Sequence, residues 1–279
     1  MQSGSPARNR IRVPSPSSPI AFTIGPLEIR WYALFIMTGI IVGTAVAAWV
    51  ARRRGQNDQF LFDAAPIVVM AAVVGARLYY IVLEWRYFAD HPDRIVGVQL
   101  RGLTIHGALI GGIACFWWIC RRHGEPFLRW ADTIMAGVPV GQAIGRWGNW
   151  ANQEAFGRPT SLPWGVRIDP EHRPEQYATA ERFHPTFLYE SICSLVIAAI
   201  LIYVLLHFAK REWWRDGYAL ALYLVLYGGV RLIIESMRTD SLYIGPWPAA
   251  YWLSGALIIG GSALALYLRP REVNRVEQP

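Results

Sequence analysis

The sequence predicts an all-α polytopic membrane protein with about seven transmembrane helices and a small irregular extracytoplasmic cap. Hydrophobic residues make up 53% of the 279 residues and charged residues only 17%, which is too apolar for an ordinary soluble domain. The apolar residues are also grouped into stretches close to the roughly 20 residues that a helix needs to cross a bilayer. These stretches are 33–51, 61–83, 105–120, 130–145, 186–208, 217–235 and 247–268.

Both ends of the chain are predicted to lie outside this helical unit. Residues 1–20 are rich in Ser, Pro and Arg, which bury too little apolar surface to fold, so we expect a flexible basic tail over 1–24. The first apolar stretch is long, ends in Arg52, Arg53 and Arg54 and lacks a small-residue cleavage site, which favours a retained span over a secretory signal.

The third and fourth stretches are short and are expected to tilt little or to end beneath the interface.

The distribution of basic residues predicts how the spans are oriented. The segments 52–60, 121–129, 209–216 and 269–279 are dense in Lys and Arg, and short loops of this kind stay on the cytoplasmic side. The C-terminal tail, 269–279, is then cytoplasmic and the N-terminus extracytoplasmic, although Arg8, Arg10 and Arg12 stand against this. The segment 146–185 also lies outside. It is long enough to fold, and its prolines predict an irregular cap.

The charge and the cysteines of the chain argue against a nucleic-acid-binding surface and against a disulfide framework or metal cluster. A formal net charge of +7 would suggest nucleic-acid binding in a soluble protein, but here the arginines flank apolar stretches, where they anchor helices. Cys115, Cys120 and Cys193 all lie inside apolar stretches and are interpreted as buried apolar residues. We therefore predict no nucleic-acid partner, no disulfide framework, no metal and no other cofactor.

Charged residues inside the apolar stretches are the first candidates for a site, because such residues are costly in a membrane. Arg77 lies deep in the second stretch and Arg231 in the sixth. Helical spacing places Tyr227, Glu235 and Arg238 on the same face as Arg231. Two arginines with one carboxylate leave positive charge over, which argues for an anionic ligand. An Arg–Glu pair that only fixes helix packing is the alternative.

The segment Gly145–Gly157 is the most informative part of the chain. It combines glycines with Arg146, Asn149, Asn152 and Glu154 at the end of the fourth stretch. Arg146 offers a planar fork of donors suited to a phosphate, and the glycines let the backbone approach a ligand or adopt positive φ. We expect a phosphate-binding loop at a membrane surface. A glycine-rich loop with solvated side chains is the alternative.

Other polar residues are predicted at the same depth. His106 opens the third stretch and is the side chain best suited to take a proton near neutral pH, although a histidine at a helix end is more often only hydrogen-bonded. His184 precedes the fifth stretch, and Tyr32 opens the first, where an aromatic-belt role is the alternative. With the orientation above, these groups lie toward the outer leaflet, which predicts one site built from several segments.

These motifs together resemble the prolipoprotein diacylglyceryl transferase family, bacterial membrane enzymes with the signature G-R-x-G-N-F-apolar-N-x-E-x-x-G. The chain matches the signature at Gly145, Arg146, Gly148, Asn149, Asn152, Glu154 and Gly157, and departs from it at Trp150 and Ala151. Further ordered matches are Arg30-Trp31-Tyr32, Gly75-Ala76-Arg77, His106-Gly107, His184 to Glu190, and Tyr227 to Arg238. The resemblance covers roughly 25–268. Phe187 stands where the family usually carries Gln.

The resemblance implies an activity, a location and a set of roles. The family transfers the diacylglyceryl group of phosphatidylglycerol to the lipobox cysteine thiol of preprolipoproteins, forming a thioether and releasing glycerol phosphate, the first step of bacterial lipoprotein maturation. It implies a transmembrane catalytic domain over 25–268 in the plasma (inner) membrane, with phosphatidylglycerol, the preprolipoprotein signal peptide and membrane lipid as partners. The expected catalytic residues are His106 as base, with Arg146 and Arg231 stabilising the phosphate. The expected substrate-binding residues are Arg146, Asn149, Asn152, Glu154, Gly157, Tyr32, Arg77, Tyr227, Glu235 and Arg238.

Three other functions would use some of the same features. A transporter or channel could bind an anion through these arginines, but it predicts inverted repeats, and none is visible in the sequence. A serine hydrolase predicts a G-x-S-x-G turn, which the sequence lacks. A non-catalytic assembly factor would not require so many polar groups at one depth.

Overall fold

The computed structural model describes residues 16, 18–25, 27–95 and 102–269, and this part of the chain is mostly helical. Its helices are α1 (Trp31–Arg53), α2 (Gln59–Leu83), α3 (Trp85–Asp90), α4 (Ile105–His123), α5 (Phe127–Ala151), α6 (Thr186–His207), α7 (Tyr218–Glu235) and α8 (Ala249–Tyr267). Short antiparallel ladders pair β1 (Ile20–Ile24) with β2 (Leu27–Arg30), β3 (Val166–Arg167) with β4 (Arg182–Phe183), and β5 (Tyr243–Ile244) with β6 (Trp247–Pro248).

Each of the seven predicted stretches falls on one long helix. Five helices, α1, α2, α6, α7 and α8, are long and apolar enough to cross a membrane, so the chain has the character of a membrane protein with several spans. Helices α4 and α5 are less apolar. Arg121 and Arg122 end α4, and α5 contains Asp132 and Arg146. That these two also cross a membrane stays a prediction.

Glycines bring α5 against α1 and bring α4 against α2. A methyl group added to Gly39 on α1 would lie 2.7 Å from the carbonyl oxygen of Gly141 on α5. A methyl group on Gly75 of α2 would clash with the carbonyl oxygen of Gly107 on α4. Small residues allow such close packing between apolar helices. They also explain why α4 and α5 look less apolar than the others, since these glycines face another helix.

Helix α5 lies at the centre of the fold, against α1, α6 and α7. Its fully buried Asp132 accepts hydrogen bonds from the backbone N–H groups of Gly217 and Leu220, each over 2.9 Å. These donors belong to the first turn of α7, which Asp132 therefore caps from a neighbouring helix. The start of α7 is thus fixed to α5, and the other ends of both helices carry the arginines of the candidate site.

Two predicted boundaries differ from the structure. Helix α5 continues past the predicted end at residue 145 as far as Ala151, so the first half of the glycine-rich segment is helical rather than a loop. Strand β1 lies inside the 1–24 range predicted to be a flexible tail. It pairs with β2 around Gly25, whose φ is +58°. The alternating pattern on either side of that glycine is typical of a hairpin. Residues 1–15 and 270–279 lie outside the described part of the chain, so the two tails stay predictions.

The segment between α5 and α6 is irregular, as its prolines predict. It contains the β3–β4 ladder and two short 3-10 turns, Pro170–His172 and Glu175–Tyr177. A small apolar core of its own holds it together, formed by Phe156, Val166, Ile168, Phe183 and Phe187. This segment is therefore irregular and has a small core, while its role as an extracytoplasmic cap stays a prediction.

Candidate active site

Two arginines and one glutamate meet where α5, α6 and α7 come together. Nη2 of Arg146 lies 2.6 Å from Oε2 of Glu190, and Nη1 of Arg231 lies 3.1 Å from Oε1 of the same carboxylate. The Glu190 side chain is only 4% exposed. Each carboxylate oxygen therefore holds one guanidinium, and a single buried carboxylate fixes the separation of the two arginines.

The ion pairs continue along α7 and just beyond its end. Nη2 of Arg231 lies 2.7 Å from Oε2 of Glu235, one helical turn away. Nε of Arg238 lies 4.0 Å from the same Glu235 oxygen, and Nη2 of Arg238 lies 2.9 Å from Oδ2 of Asp240. The face that helical spacing predicts on α7 is therefore a connected row of alternating charges.

The charges in this row balance, which corrects the expectation of surplus positive charge. The three guanidiniums of Arg146, Arg231 and Arg238 face three carboxylates, because α6 contributes Glu190 and the segment after α7 contributes Asp240. Buried ionic groups are tolerated when they are paired and hydrogen-bonded in this way. An anionic ligand would therefore bind to donors that remain on paired guanidiniums, and not to an unpaired charge.

Arg238 lies beyond the end of α7 and remains charged. Burial acts to lower the pKa of its guanidinium, but the hydrogen bonds and negative charge of Asp240, with the charges of Glu190 and Glu235, outweigh this effect. The pKa of Arg238 is consequently raised above its ordinary value, so this arginine carries its charge throughout any working pH range.

The polar residues of the Gly145–Gly157 segment form a chain that leads away from the ion pairs. Nη1 of Arg146 is 3.5 Å from Oδ1 of Asn149, and Nδ2 of Asn149 donates to Oε1 of Glu154 over 2.9 Å. Asn152 donates to the same Glu154 oxygen over 3.3 Å. Glu154 itself is exposed. The segment thus carries a polar path from the buried Glu190 to an accessible carboxylate.

Two glycines of this segment make room for neighbouring side chains, and neither adopts positive φ, which was one of the two roles expected of them. A methyl group on Gly148, within α5, would lie 2.6 Å from Cδ2 of Tyr32, so the Tyr32 ring packs against the helix here. A methyl group on Gly157 would lie 2.9 Å from Cβ of His184. The glycines therefore allow the first span and the start of α6 to approach the polar path closely.

The residues with positive φ in this segment are Gln153, at 52°, and Ala155, at 56°. Non-glycine residues adopt this conformation at a cost of roughly 1–2 kcal/mol, and such strain persists where neighbouring contacts fix it. Gln153 is fixed by Asp169: its Nε2 donates to Oδ2 over 2.7 Å, and its Oε1 accepts from the Asp169 backbone N–H over 2.8 Å. Gln153 and Ala155 lie on either side of Glu154 in the turn where Glu154 is exposed.

Comparison with known proteins shows the family of this chain. The model of the prolipoprotein diacylglyceryl transferase family matches residues 19–267. The chain belongs to this family. The resemblance predicted from the sequence is therefore confirmed, as is the expectation that the chain is a diacylglyceryl transferase.

Curated relatives of this diacylglyceryl transferase carry the name phosphatidylglycerol–prolipoprotein diacylglyceryl transferase. The one from Trichormus variabilis is 42% identical over 256 residues, which cover 91% of each chain. The one from Gloeobacter violaceus is 40% identical over 262 residues, covering 94% of this chain and 96% of the relative. The one from Clostridioides difficile is 38% identical over 259 residues, covering 93% and 98%.

The transferase brings most of the sequence-predicted site residues together but sets two of them apart. His106 is exposed at the start of α4, and its ring centroid lies 6.1 Å from that of Tyr79 on α2. Arg77 donates from Nη2 to the carbonyl oxygen of Arg94 over 2.8 Å, and its guanidinium carbon lies 5.2 Å from the Phe88 ring centroid. Both residues thus belong to the α2–α4 pair and the segment that follows α2.

Glu190 is a buried residue of the candidate site that the sequence did not reveal. It lies in the second turn of an apolar helix, and an acidic residue at such a position is itself a signal. Its partners could not be recognised, because a single sequence does not show that α6 lies beside α5 and α7. Glu235, by contrast, lies four residues from Arg231 on the same helix, where spacing alone predicts the pair.

Proposed function

We propose that this chain is a multi-pass protein of the bacterial plasma (inner) membrane that transfers the diacylglyceryl group of phosphatidylglycerol to the lipobox cysteine of preprolipoproteins. The names of its relatives specify phosphatidylglycerol and a prolipoprotein, and five apolar helices support membrane insertion. The observation that carries the proposal is the pair of guanidiniums held by Glu190 between three helices.

The reaction exchanges one bond for another at a glycerol carbon. The cysteine thiol loses its proton to a base, and its sulfur forms a bond to the glycerol carbon that carries the phosphate ester. The bond between that carbon and the ester oxygen breaks, and its electron pair leaves with glycerol phosphate. Negative charge therefore grows on phosphate oxygens in the transition state, where fixed hydrogen-bond donors are most effective.

Arg146 and Arg231 are the proposed donors to the phosphate. Hydrogen bonds to Glu190 and Glu235 use two of the five N–H donors of Arg231, so others remain for phosphate oxygens. The side chains of Arg146 and Arg231 are 22% and 14% exposed, compared with 4% for Glu190. The guanidiniums are thus partly accessible while the carboxylate that holds them is not.

The residues around this pair are proposed to bind the lipid headgroup or to orient the arginines. Glu235 orients Arg231 through their 2.7 Å contact, and Arg238 extends the row of ion pairs toward the headgroup. The polar path formed by Asn149, Asn152 and Glu154 presents amides and a carboxylate suited to glycerol hydroxyls. Tyr32, Tyr227 and Gly157 border the same region and are proposed to contact the lipid there.

His106 is the proposed base for the thiol, because imidazole takes a proton near neutral pH. Its exposure on α4 suits a group that meets an incoming peptide substrate. Arg77, on the adjacent helix α2, is proposed to contact substrate from the same side. This assignment places the thiol between the α2–α4 pair and the ion-pair row.

The proposed topology has seven spans, with the N-terminus outside and the C-terminus in the cytoplasm. The basic segments 52–60, 121–129 and 209–216 then face the cytoplasm, as short arginine-rich loops do. Helices α5 and α7 both run outward in this arrangement, so the ends that carry Arg146 and Arg231 lie toward the outer leaflet. The segment 146–185 covers the site from outside.

A serine hydrolase is disfavoured by the structure near the site. Ser191 adjoins Glu190, but its hydroxyl donates to the carbonyl oxygen of Ala143 over 2.9 Å. A serine nucleophile requires a base that accepts this proton. No histidine is recorded as a hydrogen-bond partner of Ser191 among the residues described.

A transfer assay in membranes tests the proposed function. We expect membranes containing this chain to move label from the diacylglyceryl part of phosphatidylglycerol to a lipobox peptide, as a thioether on cysteine. The same peptide with serine in place of cysteine, and phosphatidylethanolamine in place of phosphatidylglycerol, serve as controls and should give no product. Release of free labelled fatty acid or diacylglycerol without peptide labelling would instead indicate a hydrolase.

A further inference from the structure

A second polar contact joins α5 and α7 beneath the ion pairs. Nε2 of Gln142 donates a hydrogen bond to the hydroxyl oxygen of Tyr223 over 2.8 Å, and Tyr223 is buried. The Tyr223 ring stacks on that of Tyr227, with the centroids 5.5 Å apart and the planes 10° from parallel. The two helices that carry the arginines are therefore also joined by a hydrogen bond from an amide on α5 to a phenol on α7, and that phenol ring stacks on the next turn of its own helix.

The spacing along each helix connects this contact to the two arginines. Gln142 precedes Arg146 by one turn on α5, and Tyr227 precedes Arg231 by one turn on α7. Residues one turn apart lie on the same face, at a rise of about 6 Å along the axis. We therefore expect a change in the separation of α5 and α7 at Gln142 to move the two guanidiniums relative to each other.

An amide at position 142 is not explained by helix packing alone. Its Oε1 is buried and has no hydrogen-bond partner within the part of the chain that the structure describes. If the amide were turned round, the Tyr223 hydroxyl would donate to Oε1, and Nε2 would be the unpaired atom. An unpaired buried polar atom costs free energy, whereas an apolar side chain of similar volume would fill the space without that cost.

We infer that Gln142 and Tyr223 are positioning residues of the transferase. Their hydrogen bond sets the α5–α7 separation at which Glu190 bridges Arg146 and Arg231. The inference rests on the proposed role of those arginines in stabilising the phosphate. Because Gln142 and Tyr223 act through the arginines, their removal changes the rate of the bound complex and leaves lipid affinity largely intact.

Kinetics of three variants test this role: Gln142→Met, Tyr223→Phe and the double variant, assayed with phosphatidylglycerol and a lipobox peptide. We expect kcat to fall about tenfold in each single variant, while KM for phosphatidylglycerol stays within about twofold. The double variant should be no slower than the slower single variant, because both substitutions remove the same bond. The Tm of the double variant should equal or exceed that of the native protein, since neither side chain then leaves a buried polar atom unpaired.

Thr133→Val is the matched control for loss of a buried polar contact in α5. Thr133 donates to Oε1 of Gln56 over 2.6 Å and lies about 20 Å along the helix from Arg146. We expect this variant to lower Tm and to keep the native kcat. A native kcat in Gln142→Met would overturn the inference. So would a fall in the Tm of the double variant as large as in Thr133→Val, or losses of kcat that multiply in the double variant.

Arg146→Ala, assayed beside these variants, separates the inference from the proposed function. Retained activity in Arg146→Ala would remove the role of the arginine and with it the inference. An inactive Arg146→Ala together with a normal Gln142→Met would overturn the inference alone.

Discussion

At the scale of single residues, the site depends on a carboxylate that sequence reasoning did not assign. Each Glu190 oxygen holds one arginine, so the two guanidiniums are kept near each other despite their repulsion. The Arg231–Glu235 pair could be predicted because both residues share one helix face. The Arg146–Glu190 pair could not, since it depends on how α5 packs against α6.

Replacing Glu190 by glutamine should disable the enzyme. The amide has one acceptor oxygen and would turn donor hydrogens toward a guanidinium, so the two arginines would lose their common partner. We expect kcat/KM to fall about 100-fold, or about 2.7 kcal/mol of transition-state stabilisation. The measurement is the initial rate of peptide lipidation over a range of phosphatidylglycerol concentrations.

Asp240→Asn serves as the comparison for Glu190→Gln. Its carboxylate also pairs with an arginine, but the side chain is 45% exposed, and exposed ion pairs contribute little. We expect a fall of less than tenfold. Equal effects of the two substitutions would show that burial of Glu190 between the helices has no special importance.

The glycines of the Gly145–Gly157 segment are a second case in which the sequence predicted the site only in part. Their presence predicted close approach to a ligand or positive φ, and the structure shows Gly148 close to Tyr32 and Gly157 close to His184. Positive φ occurs at Gln153 and Ala155, where residue type gives no signal. Contacts from the 146–185 segment, such as the one between Gln153 and Asp169, fix the conformation that local preference would not choose.

At the scale of elements, hydrophobic patterning located the seven long helices of the described part of the chain, because a long run of apolar residues is a strong signal in sequence. The ends of the helices were less well predicted. Helix α5 extends through the polar part of the signature as far as Ala151, since its last turns are sheltered by Tyr32 and by the small core of the following segment. Which helices pack against each other could not be predicted, because the spacing of glycines on one helix does not show which other helix contacts them.

The glycine contact between α1 and α5 is predicted to hold the two helices together. Adding a methyl group at Gly137 would clash with the backbone carbonyl of Gly43, so Gly137→Ala should force the helices apart and lower Tm. Gly260 on α8 has no atom within 4 Å of the position of an added methyl group. Gly260→Ala is therefore the control and should leave Tm unchanged or slightly raised. Thermal unfolding in detergent compares the two, and equal shifts would contradict the role of the contact.

At the scale of the whole molecule, the fold places charges from three helices at one end of α5 and α7 and the Asp132 cap at the other. The proposed topology puts the charged end toward the outer leaflet. That orientation is predicted from the sequence by the positions of the basic loops. The convergence of the charges could not be predicted in this way, because it depends on how the helices pack.

Labelling of single cysteines in intact cells tests the orientation. Cys115, Cys120 and Cys193 would first be replaced by alanine, and Glu171→Cys or Lys210→Cys then introduced, since both positions are exposed. A membrane-impermeant maleimide should label position 171 and leave position 210 unlabelled until the membrane is opened. The reverse pattern would place the site on the cytoplasmic side and contradict the topology.

The most direct test of the account is the rate at which Arg231→Ala and Arg146→Ala transfer labelled diacylglyceryl groups from phosphatidylglycerol to a lipobox peptide. Arg86→Ala, which changes an exposed arginine on α3, is the control and should keep the native rate. At equal amounts of inserted protein, we predict that each site variant is slower by about 1000-fold or more, equivalent to about 4 kcal/mol. Rates within tenfold of the native rate would show that the guanidiniums held by Glu190 do not drive the reaction.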